Sequence, residues 1–73
     1  MEVFSKKLKE LRQFSAQTQK NVAKNIEISE RQYIDLENNK AKPTVDTLIA
    51  LADYFDVSLD YLVGRSETPE RQP

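Results

Sequence analysis

The sequence predicts an all-α domain of five short helices. Three observations carry this. Apolar residues recur at three- and four-residue spacing along most of the chain, no run of four or more alternates as a half-buried strand does, and residues able to cap helices stand before successive apolar segments. With 73 residues there is room for one core and not for two. Phe4, Leu8 and Leu11 fall at i, i+4 and i+7 and predict a first helix from about Glu2 to Phe14, with Lys6, Lys7, Lys9 and Glu10 on its solvated face. Ser15-Ala-Gln interrupts the pattern. Thr18 then caps a second helix that ends near Asn25 and buries Val22, Ala23 and Ile26.

Ser29-Glu-Arg-Gln32 is a capping box, in which the Ser29 hydroxyl accepts from the Gln32 N–H and the Gln32 side chain accepts from the Ser29 N–H. A third helix therefore starts at Glu30, with Tyr33, Leu36 and Glu37 turned inward. Asn38-Asn39 ends it, because Asn tolerates the left-handed conformation past a last turn. Lys40-Ala-Lys-Pro43 is a basic loop. Thr44 caps a fourth helix whose Val45, Leu48, Leu51, Ala52 and Phe55 form a wide apolar stripe, and Ser58 caps a short fifth helix with Leu59, Leu62 and Val63 that Gly64 closes. The domain is expected to span residues 1–64. Residues 65–73 carry no apolar side chain and are expected to form a disordered polar tail.

Composition removes most chemistry. The chain has no Cys and no His, which excludes disulfides, thiolate or imidazole metal sites and a Ser-His-Asp relay within it. Its one glycine rules out a glycine-rich phosphate loop. The carboxylates fall on surface-facing positions without a predicted cleft, so an enzyme is not expected, and neither is a cofactor. No segment approaches the roughly 18 apolar residues of a membrane span, and the start lacks the apolar stretch of a signal peptide, so a cytoplasmic protein is expected. Net charge is −1, but residues 1–43 hold nine Lys/Arg against six Asp/Glu and residues 44–73 hold two against six. The first half thus has a modest positive balance, as a polyanion-binding surface requires.

Two short helices joined by a tight turn inside a five-helix domain meet the physical requirement for a helix-turn-helix. Val22, Ile26, Ile28, Tyr33 and Leu36 lock the second helix on the third, and Ala23 is small enough for the axes to approach. Thr18-Gln19, Val22-Ala23, Ile28-Ser29, Leu36-Glu37-Asn38, Lys42-Pro43-Thr44, Thr47-Leu48 and Val57-Ser-Leu-Asp-Tyr-Leu-Val-Gly64 together resemble the Cro/repressor-type (xenobiotic-response-element) helix-turn-helix family. The resemblance covers about residues 4–64 and runs in order through all five helices.

The resemblance implies sequence-specific binding to double-stranded DNA as a small repressor-like transcriptional regulator of a phage or mobile element, with the third helix in the major groove. It places Glu30, Arg31 and Asp35 at base-reading positions, Gln19 and Gln32 at the phosphate backbone, and Asn38, Lys40 and Lys42 in a backbone-gripping loop. Arg12 and Glu37 match a structural ion pair. The chain departs from the family's pattern at Glu27, where the turn usually has a glycine at positive φ, and at Asn39, which replaces another. Glu30 and Asp35 repel phosphates, yet a carboxylate can accept from cytosine N4 and so penalise unsuitable sequences. A domain this small covers little DNA alone, so a homodimer on half-sites about 34 Å apart is expected, with Val57, Leu59, Tyr61 and Val63 of the fifth helix as its seam. The competing reading is a protein-interaction module, such as the antitoxin of a toxin pair, favoured by the acidic second half.

Overall fold

The computed structural model describes residues 1–71. Five helices follow in order: α1 (Glu2–Phe14), α2 (Gln19–Asn25), α3 (Glu30–Glu37), α4 (Val45–Phe55) and α5 (Leu59–Leu62). Four of the five starts are set by hydroxyl caps three residues from the amide they serve: Thr18 to Asn21, Ser29 to Gln32, Thr44 to Thr47 and Ser58 to Tyr61. At α3 the box is reciprocal, with the Ser29 N–H donating to Gln32 Oε1 at 2.9 Å and the Gln32 N–H to Ser29 Oγ at 3.0 Å.

The core is built from Phe4 and Leu8 of α1, Val22 and Ala23 of α2, Tyr33 and Leu36 of α3, Leu51 and Ala52 of α4, and Leu62 of α5. Helix α3 lies between α1 and α2, while α5 packs on α1 and α4. Ser5 is buried among these and donates to the Leu36 carbonyl at 2.5 Å, which the Asn39 N–H also reaches past the end of α3. Two assignments change. Val45, expected in the apolar stripe of α4, is 70% exposed, because the first helical residue lies past the edge of the core. Val57, expected on the dimer seam, is 4% exposed and belongs to the core.

Four non-glycine residues hold left-handed backbone: Ala16 (φ 57°), Glu27 (φ 62°), Asn39 (φ 58°) and Asp56 (φ 55°). Glu27 makes the turn between α2 and α3 where the sequence placed it. Its N–H donates to the Lys24 carbonyl, and the next N–H, of Ile28, to the Ala23 carbonyl. Gly64 takes φ 86° and packs against Val3, so that an added Cβ would fall on the Val3 Cγ1. Gly64→Ala is therefore expected to cost about 1–2 kcal/mol of left-handed strain plus the displacement of Val3. Urea melts of Gly64→Ala with and without Val3→Ala separate the two shares, since only the second is relieved by trimming Val3.

The segment beyond Gly64 lies back along α4 and α5: the Ser58 N–H donates to the Pro69 carbonyl at 3.0 Å, and Arg71 pairs with Asp53 at 2.6 Å. Gln72 and Pro73, the end of the expected tail, lie outside the described residues.

Candidate nucleic-acid interface

The outward end of α3 is the feature from which any site must be built. Glu30, Arg31 and Gln32 are exposed, Ile34 and Asp35 are half-buried, and Tyr33 is fully buried. One side chain in the first turn thus anchors the helix while its neighbours stand clear of the domain. The capping box fixes the backbone at this end. It also occupies the Gln32 carbonyl oxygen, leaving the amide nitrogen of Gln32 to face outward.

Behind α3 sits a buried charge cluster. Arg12 Nε donates to Glu37 Oε2 at 2.6 Å and Nη2 to Oε1 at 3.2 Å, while Nη1 donates to the Gln17 carbonyl at 3.0 Å. The two side chains are 14% and 1% exposed, so the bidentate pair is largely removed from water. Burial alone pushes the Glu37 carboxyl up, but the hydrogen bonds it accepts, foremost from Arg12, outweigh this and hold it below the usual carboxylate range. The same hydrogen bond holds the Arg12 guanidinium above its ordinary value. Burial, followed by the adjacent carboxylate, pushes the Tyr33 phenol well above its usual range, so that Tyr33 stays neutral.

This cluster also engages one expected site residue. Gln19, expected at a DNA phosphate, donates through Nε2 to Glu37 Oε1 at 3.1 Å. The buried carboxylate needs more donors than Arg12 supplies and draws the Gln19 amide inward. The second N–H of that amide, its carbonyl oxygen and the backbone N–H at the start of α2 remain for an outside partner. Among the loop residues, Asn38, Lys40 and Lys42 are all exposed, and Lys42 stands beside Pro43. The Lys40 N–H donates to the Asp35 carbonyl at 2.8 Å and ties this loop to α3. Lys42, Asp35 and Gln32 line one notch with Ile28, Leu36 and Pro43.

The expected seam is only partly available. Besides Val57 in the core, Tyr61 is half-buried with the Lys7 ammonium 4.2 Å from its ring centroid, and Val63 is half-buried at the end of α5. Leu59 is 42% exposed and shares a shallow concavity with Ile49 of α4, which is also exposed. The fold further assembles a polar cluster with little trace in the sequence: Tyr54 donates to Gln17 Oε1, Asn21 donates to the same oxygen at 3.0 Å, and the Asn25 amide reaches the Tyr54 hydroxyl at 3.5 Å, joining α4 to α2. The four-residue spacing of Gln17, Asn21 and Asn25 is the only signal the sequence offers for it.

A tight two-helix unit that holds the start of its second helix clear of the domain, braced from behind by three further helices, defines a helix-turn-helix protein. The chain belongs to the helix-turn-helix family, whose model matches residues 8–62, and to the Cro/repressor type that its motifs resemble. It is similar to the HTH-type transcriptional regulator ImmR of Bacillus subtilis, with 36% identity over 66 residues covering 90% of this chain and 52% of that protein. The uncharacterized HTH-type transcriptional regulator YqaE of the same organism is 36% identical over 69 residues, covering 94% of this chain and 59% of its own. The cryptic phage CTXphi transcriptional repressor RstR of Vibrio cholerae is 38% identical over 55 residues, covering 75% and 49%. The chain thus spans about half to three fifths of the length of the curated relatives it matches. No solved structure gives a significant match.

Proposed function

We propose that the chain binds duplex DNA sequence-specifically as a small transcriptional regulator, with α3 in the major groove and Glu30, Arg31 and Asp35 toward the bases. The observation that carries this is the exposed end of α3, held out by a reciprocal capping box and backed by the buried Arg12–Glu37 pair. Asn38, Lys40, Lys42 and the backbone N–H of Gln19 flank that end as phosphate contacts, with the Gln32 amide beside them. Relatives named as regulators and as a phage repressor support the same reading and favour repression by operator occupancy. Among the described residues no helix is long and apolar enough to cross a membrane, consistent with action on DNA in the cytoplasm. The role is binding rather than turnover.

The test is selection from a random duplex pool. An enriched palindrome supports the reading. Absence of any enrichment overturns it and favours the protein-interaction alternative, in which the acidic α4–α5 face docks a basic partner.

The regulator acts as a two-fold dimer in this reading, and its seam is relocated to Leu59 with Ile49, since Val57 is in the core and Tyr61 lies under Lys7. An isologous patch of this kind repeats each side chain on both partners. Ile49→Asp is expected to leave the monomer folded but to abolish dimers in analytical ultracentrifugation and to weaken binding to a full palindrome at least tenfold, while binding to a single half-site is unchanged. Dimers that survive Ile49→Asp would remove this seam.

A further inference from the structure

Of the three side chains assigned to base edges, Glu30 has a favoured place in the free domain, in the first turn of α3 at the positive end of the helix dipole. Asp35 lacks that advantage. It stands in the last turn of α3, where the dipole disfavours a carboxylate and no basic residue offsets it. It is half-buried at the notch lined by Ile28, Leu36 and Pro43, with Lys42 on the same wall, yet it enters none of the ion pairs among the described residues. Arg31 lies four residues before it, on the same helix face, and the two do not pair either.

We infer that Asp35 reads a cytosine, accepting a hydrogen bond from its exocyclic N4 amine one helical turn along α3 from a guanine taken by Arg31. This rests on the proposed placement of α3 in the major groove. An ionised carboxylate only accepts hydrogen bonds. Guanine and thymine offer it acceptors on the major-groove edge and are repelled. Adenine offers its N6 donor beside the N7 acceptor, whereas cytosine offers N4 with no acceptor of its own on that edge. Cytosine is therefore the base that the side chain satisfies without conflict. Four residues of helix advance about 6 Å, just under two base-pair steps of roughly 3.4 Å, so the cytosine lies one or two pairs from the guanine.

Asp35→Asn tests the inference, because an amide matches the N6 and N7 edge of adenine and removes the carboxylate's demand for a lone donor. Random-pool selection with the wild type is expected to return a cytosine one or two positions from a guanine, preferred roughly five- to hundredfold over other bases in competition titrations. Asp35→Asn is expected to move that position alone to adenine, and Asp35→Ala to flatten it while the rest of the motif stands. Thermal melts of both variants establish that they fold. If both variants return the wild-type motif and bind every duplex more tightly by the same factor, Asp35 merely repels phosphates and the inference is overturned, with the DNA-binding reading intact. If the wild type enriches nothing, the underlying reading falls first.

Discussion

Arg12→Met is expected to destabilise the domain by about 3–5 kcal/mol, the usual consequence of leaving a buried carboxylate without its cation. The Glu37 side chain is 1% exposed, and its oxygens accept two hydrogen bonds from Arg12 and one from Gln19, so the variant leaves the Gln19 amide to serve a buried charge. A domain of this size has a total stability of roughly 4–11 kcal/mol, so the variant stands near the edge of folding at 25 °C. The double variant Arg12→Met with Glu37→Met is expected to recover most of the loss, because it removes both desolvation penalties together. Urea melts of the two single variants and the double variant check this. If the double variant is no more stable than Arg12→Met, the pair is not the origin of the loss.

Acid separates the variants further. In the wild type the folded-state value of Glu37 lies below its unfolded value of about 4.3, so the domain binds fewer protons folded than unfolded in that range. The stability contributed by the pair is fully present above about pH 4.3 and drains away as pH falls through the depressed folded value. In Arg12→Met, burial without the cation raises the Glu37 carboxyl above its unfolded value. The sign then reverses, and stability present below about pH 4.3 is lost as pH rises through the raised folded value. Melting temperatures of wild type and Arg12→Met are therefore expected to converge on acidification from pH 7, and a gap of constant width would refute the assignment.

Arg31→Ala is expected to weaken binding to the selected operator by about 1–3 kcal/mol, the worth of a bidentate arginine on guanine O6 and N7. Its side chain is exposed and makes no ion pair among the described residues, so stability is expected to change by no more than about 0.5 kcal/mol. Discrimination at one base pair is lost, while binding to random duplex falls only slightly. Lys42→Ala makes the contrast: taking a phosphate-binding ammonium out of the loop weakens specific and random duplexes alike and lowers the salt slope by about one. Gel shifts of the three proteins on operator and random DNA distinguish the two behaviours, and equal losses for Arg31→Ala on both duplexes would remove it from the base-reading set.

The helix starts are legible in the sequence because each is decided within three residues. A hydroxyl at Thr18, Ser29, Thr44 or Ser58 reaches an amide in its own first turn whatever the remainder of the chain does. The left-handed turn at Glu27 is legible for a different reason, since the family pattern marks the position and the closing bonds to Ala23 and Lys24 are local. Ala16 and Asp56 adopt the same conformation without any such mark. Alanine advertises no turn, and Asp56 stands between an apolar stripe and a cap that already explain the break.

The candidate site divides along the same line. Spacing alone exposes the first turn of α3 and turns Tyr33 and Leu36 inward, so the sequence suffices to put Glu30 and Arg31 at an outward helix end. Spacing does not tell which donor a buried carboxylate recruits, and the turn of Gln19 toward Glu37 comes only with α1, α2 and α3 assembled. Nor can a four-residue helix reveal which side of α5 is buried, because one turn is too short for a periodicity.

What the amino-acid order determined by itself is the set of five helices, their ends, and the family whose motifs they carry, all consequences of hydrogen bonds and apolar spacing that act over a few residues. The tertiary structure alone decided that Val57 joins the core, that Leu59 and Ile49 remain outside, that Gln19 serves Glu37, and that residues 66–71 return to Asp53 and Ser58. Those outcomes depend on partners 18 residues apart in the case of Gln19 and Glu37, and on which surfaces α1 and α4 present once packed, so no local pattern encodes them.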